Sequence, residues 1–217
     1  MLEIISEKVK KYKAVLVAVS KTRSIEEITS VYNKGVRHFG ENRARELEEK
    51  QAGLPKDIIW HMIGHLQKNK VKYIAEFVDY IHSVDSYTLL MAIQNQAQKH
   101  DRIIKVLLQM KIATEDTKYG LTLESVDHLI EKSRTSGLKN VQICGVMGMA
   151  TFTDNDVQIG NEFEKLKGIF NHIKNMYFSS HDSFKEISMG MSGDYIIALE
   201  KGATIIRVGS LIFGPRR

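Results

Sequence analysis

Cysteine and proline are almost missing from this chain. The one cysteine, Cys144, excludes an internal disulfide and any zinc site built from several thiolates, and its place inside an apolar run predicts a core residue. Only Pro55 and Pro215 occur, and no Ser/Gly-rich or low-complexity tract interrupts the 217 residues. No linker or internal repeat is visible, so residues 1–217 are read as one domain, long enough to bury a sizeable core. No apolar stretch could span a bilayer, and the charged start Met1-Leu2-Glu3-Ile4-Ile5-Ser6-Glu7-Lys8 lacks the apolar centre of a signal peptide. The expectation is a cytoplasmic protein with no membrane contact. Strong charge of either sign is also lacking: 31 Lys and Arg stand against 26 Asp and Glu, for a net +5. That balance suits an anionic ligand but is too mild for nucleic acid. The densest basic run, Lys68-Asn69-Lys70-Val71-Lys72, has no interleaved aromatics and reads as a solvated helix face.

What the chain does have is a recurring pattern of short apolar strands followed by amphipathic helices. The clearest strand, Val15-Leu16-Val17-Ala18-Val19, stops abruptly at Ser20-Lys21-Thr22 and would deliver a lysine to its own C-terminal end. A short amphipathic helix over residues 2–12 precedes it, and Ser24 with Glu26 and Glu27 reads as the cap of a helix ending at Gly35. Further strands are predicted at 36–40, 58–64, 80–84, 103–110, 141–147, 186–189 and 203–208. Helices are expected over 43–51, in the basic segment after Gln67, after Ser86, after a long loop from Thr114 to Gly120, and over 156–178. Eight strands alternating with helices predict a parallel (β/α)8 TIM-type barrel, because parallel strands need crossovers and closure removes the edges. An open doubly wound sheet is the alternative, but it would carry functional residues only at its switch point.

The strand ends decide between them. Lys21, Asn42, His61 with Gly64, and His82 with Ser83 close the first four strands. The seventh runs through Ser188 into Met189-Gly190-Met191-Ser192-Gly193-Asp194, and the eighth into Arg207-Val208-Gly209-Ser210. Glycines let backbone approach an anion closely, and the loops after strands seven and eight are where such barrels commonly bind phosphate. Gly190, Ser192, Gly209 and Ser210 therefore form a candidate phosphate cradle. A phosphate site, a strand-terminal lysine and an arginine around one barrel mouth suggest pyridoxal 5′-phosphate, whose aldehyde needs an amine for a Schiff base. His61 and His65 are an unconvincing metal pair, since their spacing faces one way only on a helix.

The blocks Val17-Ala18-Val19-Ser20-Lys21-Thr22, His38-Phe39-Gly40-Glu41-Asn42, Trp60-His61-Met62-Ile63-Gly64-His65-Leu66-Gln67-Lys68-Asn69-Lys70, Ser188-Met189-Gly190-Met191-Ser192 and Arg207-Val208-Gly209-Ser210-Leu211-Ile212-Phe213-Gly214 resemble, in order and over nearly the whole chain, the YggS/PROSC family of pyridoxal phosphate homeostasis proteins. The resemblance implies a barrel similar to the N-terminal domain of alanine racemase, with Lys21 as the Schiff-base lysine and Asn42 beside the cofactor ring. It further implies that Ser192, Gly209 and Ser210 hold the phosphate, next to the Ser188-Met189-Gly190 segment, and that Arg207 faces the pyridine nitrogen. Arginine can only donate, so that nitrogen would stay unprotonated and the ring would be a weak electron sink. A racemase also needs a second acid or base on the far face of the substrate, which in alanine racemases is a tyrosine from an additional domain; the chain stops soon after the eighth strand. The expectation is a monomeric, non-catalytic carrier that supplies pyridoxal phosphate to dependent apoenzymes, with an amino-acid racemase or related lyase as the alternative. One block departs from the family: after strand six it usually reads Gly-Leu-Met, then a small polar residue and often prolines, whereas here Gly145-Val146-Met147-Gly148-Met149-Ala150-Thr151-Phe152 follows.

Overall fold

The computed structural model describes residues 1–114 and 120–215. The central part of the loop expected between Thr114 and Gly120 lies outside the described residues. Eight parallel strands close into a barrel in sequence order: β1 (Val15–Val19), β2 (His38–Glu41), β3 (Ile59–Met62), β4 (Tyr80–Val84), β5 (Ile104–Gln109), β6 (Val141–Met147), β7 (Glu186–Ser188) and β8 (Ile205–Val208). Closure is made by β1 against β8, with Val17 opposite Arg207 and Ala18 opposite Val208. The (β/α)8 expectation therefore holds, and an open sheet is ruled out by that last pairing.

The helices are α1 (Leu2–Lys11), α2 (Ile25–Asn33), α3 (Ala44–Ala52), α4 (Tyr87–Lys99), α5 (Leu123–Ser136), α6 (Asp156–Tyr177), α7 (Tyr195–Glu200) and the single turn α8 (Ser210–Phe213). Their starts follow from capping chemistry. Ser24 accepts the Glu27 N–H while the Glu27 carboxylate accepts the Ser24 N–H, a reciprocal box that fixes where α2 begins. Thr122 forms a like box with Ser125 at the start of α5, while Ser86 and Asn155 cap α4 and α6 by accepting the Leu89 and Gln158 N–H groups. The basic segment after β3 differs from expectation. It forms only a short 3-10 helix, Lys68–Tyr73, although the buried positions Val71, Ile74, Ala75 and Val78 keep the i, i+3, i+4, i+7 spacing of one apolar helix face.

Successive strand residues alternate between two layers. One set, including Ala18, Phe39, Trp60, Ile81, Val106, Val146 and Ile206, packs against the helices as a continuous apolar core. The other points into the barrel. There Val17, Leu107, Cys144, Met147 and Ile205 form a small separate cluster, and Cys144 is buried as expected. Beside that cluster the inward positions of β2, β3 and β4 are polar.

Candidate functional site

At the C-terminal mouth of the barrel lies a cavity of about 550 Å³ whose lining includes Lys21, Asn42, Ser192, Arg207, Gly209 and Ser210. Six of the nine residues singled out from the sequence thus share one space. Ser188, Met189 and Gly190 stand behind it. Met189 is fully buried in the outer core. Gly190 has φ +90, and a Cβ there would lie 2.5 Å from the Ala198 Cβ, so this glycine lets the chain leave β7 tightly against α7. Asn42 depends on another close approach: a Cβ on Gly64 would sit 2.7 Å from the Asn42 Cα, so only glycine lets the end of β3 pass beneath it.

Lys21 sits in a tight turn held from both sides. Before it, Ser20 is fully buried; its hydroxyl donates to Glu41 Oε1 at 2.6 Å and its carbonyl accepts from Lys50 Nζ at 2.7 Å. After it, Thr22 has φ +64 and donates its N–H to Glu46 Oε1 at 2.5 Å. Lys50 also donates to Glu41 Oε1 at 2.8 Å and Glu46 Oε1 at 2.7 Å, so all three ammonium protons are used. Burial raises the Glu41 carboxyl above its usual range, partly offset by the bonds from Lys50 and Ser20. Burial would raise Glu46 too, but the bonds from Lys50 and the Thr22 amide together bring it below. Next along the chain, Arg23 donates to the Gly214 carbonyl and, at 2.9 Å, to that of Pro215, fastening the Lys21 turn to the segment after α8.

Arg207 enters the cavity from β8. It is 5% exposed, donates to Ser188 Oγ at 2.6 Å and to the Gly148 carbonyl at 3.2 Å, and burial lowers it to about 10, still protonated at neutral pH. Behind Ser188 runs a file of histidines, His82 and His61 fully buried and His38 partly so. Ser188 Oγ lies 2.9 Å from His82 Nδ1, His82 Nε2 lies 2.8 Å from His61 Nδ1, and His61 Nε2 lies 3.0 Å from His38 Nδ1. Burial holds His61 and His82 well below the ordinary histidine range, so both are neutral. Arg207 can only donate, so Ser188 accepts from it. Each neutral ring donates from one nitrogen and accepts at the other, so the contacts along the file from Ser188 through His82 and His61 to His38 all run in one sense.

The opposite side of the mouth is a donor surface. Ser192 Oγ accepts the Gly209 N–H at 3.3 Å, which joins the loop after β7 to the loop after β8. The backbone N–H groups of Ser192, Gly193 and Ser210, all lining the cavity, have no hydrogen-bond acceptor among the described residues. Together with the Ser192 and Ser210 hydroxyls, this donor set fits a phosphate, and Arg207 fits a pyridine nitrogen acceptor. A strand-end amine, Lys21, completes the match to pyridoxal phosphate. The departing block after β6 supplies a wall: Met149 to Thr153 line the cavity, with Thr151 fixed by its N–H and hydroxyl to the Glu162 carboxylate at 2.6 and 2.7 Å. His65 is separate from His61, lying 3.6 Å from Asp85, and no cluster able to hold a metal occurs among the described residues.

Sequence reading missed Lys50, Glu46 and the hydrogen-bonded file of His38, His61 and His82. A signal existed for the file: three consecutive strands of a parallel sheet each carry a histidine, where apolar residues are the rule. For Lys50 and Glu46 there was none beyond an i, i+4 pair, which usually marks an exposed face.

The alanine racemase N-terminal domain family model matches residues 2–217. A pyridoxal phosphate homeostasis protein from Aquifex aeolicus is 38% identical over 205 residues, covering 94% of this chain and 88% of its own. PipY from Synechococcus elongatus, solved with pyridoxal phosphate bound, superposes with a TM-score of 0.84 at 34% identity, covering 97% of this chain and all of that one. An alanine racemase from Bartonella henselae with covalently bound pyridoxal phosphate gives a TM-score of 0.70 at 13% identity over 99% of this chain and 59% of its own, a likeness of fold.

Proposed function

This chain belongs to the pyridoxal phosphate homeostasis proteins of the alanine racemase N-terminal domain family, and we propose that it holds pyridoxal 5′-phosphate reversibly on Lys21 and supplies it to dependent apoenzymes without catalytic turnover. The observation that carries this reading is the meeting of Lys21, Arg207 and the joined Ser192/Gly209 loops in one cavity. Bound there, pyridoxal phosphate supplies an aldehyde that condenses reversibly with a primary amine.

Each residue then has a defined task. Lys21 offers the amine. The hydroxyls of Ser192 and Ser210 and the N–H groups of Ser192, Gly193 and Ser210 bind the phosphate, and Asn42 borders the ring. Arg207, protonated at neutral pH, donates to the pyridine nitrogen and gives it no proton, so the electron withdrawal that racemases and transaminases require is weak. The file of neutral histidines behind it keeps Arg207 in a single orientation. The chain works as one cofactor-binding domain, and as a monomer. Among the described residues no helix is long and apolar enough to cross a membrane.

Titration with pyridoxal phosphate tests the reading. The expected outcome is a visible absorption band distinct from that of free cofactor, trapped by borohydride on a peptide containing Lys21 and lost in Lys21→Ala. A purified protein that takes up no cofactor overturns it. Carrier and enzyme are separated by α-proton exchange of amino acids in deuterium oxide: a rate no higher than that of free cofactor is expected, and a clearly higher one would make the protein a racemase or lyase. Delivery is read by activation of an apoenzyme in the presence of a scavenger for free aldehyde, and sedimentation reads the monomer.

A further inference from the structure

The backbone on either side of Lys21 is held by Lys50 and Glu46, which do not line the cavity, and the way it is held points to a purpose. A β-branched residue at φ +64 is a backbone outlier, and Thr22 adopts it immediately after the cavity lysine. Thr22 lies beyond the end of β1, is exposed and does not line the cavity. What keeps it there is the Glu46 carboxylate on its N–H. The other peptide flank, the Ser20 carbonyl, is kept by Lys50 Nζ, and Lys50 and Glu46 are bonded to each other across one turn of α3. A single ion pair on α3 therefore grips the backbone on both sides of Lys21. The grip is anchored in the barrel wall, since the third Lys50 proton goes to the fully buried Glu41 of β2, which also takes the Ser20 hydroxyl. Glu41 Oε2 has no partner among the described residues, so this carboxylate is committed to the clamp through one oxygen alone.

We propose that Lys50 and Glu46 are positioning residues that hold the Lys21 turn in the conformation in which its amine meets the cofactor aldehyde. The inference rests on the reading of Lys21 given above. The step they serve is a condensation: the Lys21 nitrogen forms a double bond to the aldehyde carbon, and the aldehyde oxygen leaves as water with the two nitrogen protons. A fixed backbone lowers the ordering cost of that step without touching the phosphate site. The clamp thus acts on covalent capture and leaves phosphate-driven docking alone.

Two ligands separate these effects: pyridoxal 5′-phosphate, and pyridoxine 5′-phosphate, which keeps ring and phosphate but has a hydroxymethyl group in place of the aldehyde. Lys50→Met is expected to bind the second within about twofold of the parent protein and the first about tenfold more weakly, with less cofactor trapped on Lys21 by borohydride. Glu46→Ala, at a partly exposed position where folding is not at stake, is expected to show the same selective loss at about fivefold. Adding Thr22→Asn to Glu46→Ala should restore most of it, because asparagine enters the left-handed region far more readily than threonine. A merely structural role for Glu46 would not be rescued at Thr22. Affinity ratios for the two ligands that stay at the parent value in both single variants, or a double variant no better than Glu46→Ala, overturn the proposal. Exchange of the Thr22 amide with solvent decides it without any cofactor: slow in the parent and fast in Glu46→Ala is expected, and equal rates overturn it. A parent protein that takes up no pyridoxal phosphate would instead remove the carrier reading.

Discussion

The two faces of the same eight strands are built on opposite principles. Outward, Phe39, Trp60, Ile81, Val106 and Ile206 meet the helices in a continuous apolar layer whose stability is the sum of many small burials. Inward, on β2 to β4, the barrel is filled by a single hydrogen-bonded file from His38 to Ser188, closed by the Arg207 guanidinium. An apolar layer tolerates any residue of suitable shape, whereas the file works only if every donor finds its acceptor. The outer face holds the barrel together, and the inner one fixes the orientation of a charge at its mouth.

The largest effect should come from the outer face. Phe39 is fully buried, with its ring centroid 6.1 Å from that of Trp60, and Phe39→Ala should lower unfolding free energy by about 3–5 kcal/mol, read from urea denaturation. A loss below 1 kcal/mol would mean that this layer repacks freely. On the inner face, His82→Phe preserves ring volume yet strands Ser188 and His61, each at a cost of about 1–3 kcal/mol. It should also weaken binding of pyridoxal phosphate, because Ser188, the acceptor that orients Arg207, loses its own partner. Phe39→Ala should leave the affinity of the folded protein unchanged, so an equal affinity loss in both variants would erase the distinction between the faces.

A third effect is set by pH. His61 and His82 have folded-state values well below 6.5, while in the unfolded chain they titrate near 6.5. Below that pH the unfolded state binds more protons, so their contribution to stability is complete above 6.5 and is lost as pH falls toward the folded values. Each histidine can remove up to about 1.4 kcal/mol per pH unit in that window. The difference in unfolding free energy between the parent and His82→Phe should therefore narrow from pH 7.5 to 5. A difference that stays constant would show that the file titrates in the folded state.

The same contrast explains how much could be read from the chain. The outer layer was legible because burial writes itself into alternation: the eight strands fall within a few residues of their expected places, and Ser24 capped its helix where the Ser-x-x-Glu pattern put it. Lys21, Asn42, Arg207 and the Ser192 and Gly209 loops were legible as strand ends, since a closed parallel barrel gathers all such ends at one mouth. The interior file was not. Its members lie on four different strands, and inward direction becomes known only once the barrel is closed in register. Lys50 was hidden for the converse reason: its pattern is that of a surface ion pair, and only the packing of α3 against the Lys21 turn buries it.

The smallest effect offers the sharpest contrast, because it compares two buried serines. Ser188 Oγ is the hinge of the file, accepting from Arg207 and bonded to His82 Nδ1, whereas Ser83 Oγ, at the register shift of β4, has no partner among the described residues. A hydroxyl buried without a partner is a net cost to folding, and replacing it with a methyl group removes that cost. Ser83→Ala should thus be neutral or stabilising by about 1 kcal/mol or less, with cofactor affinity unchanged, while Ser188→Ala should lower both stability and affinity. Thermal unfolding of the two variants, with and without pyridoxal phosphate, measures both quantities together. Destabilisation by Ser83→Ala would reveal a polar contact in the β4 wall, and an unaffected Ser188→Ala would mean that Arg207 is oriented by the Gly148 carbonyl alone.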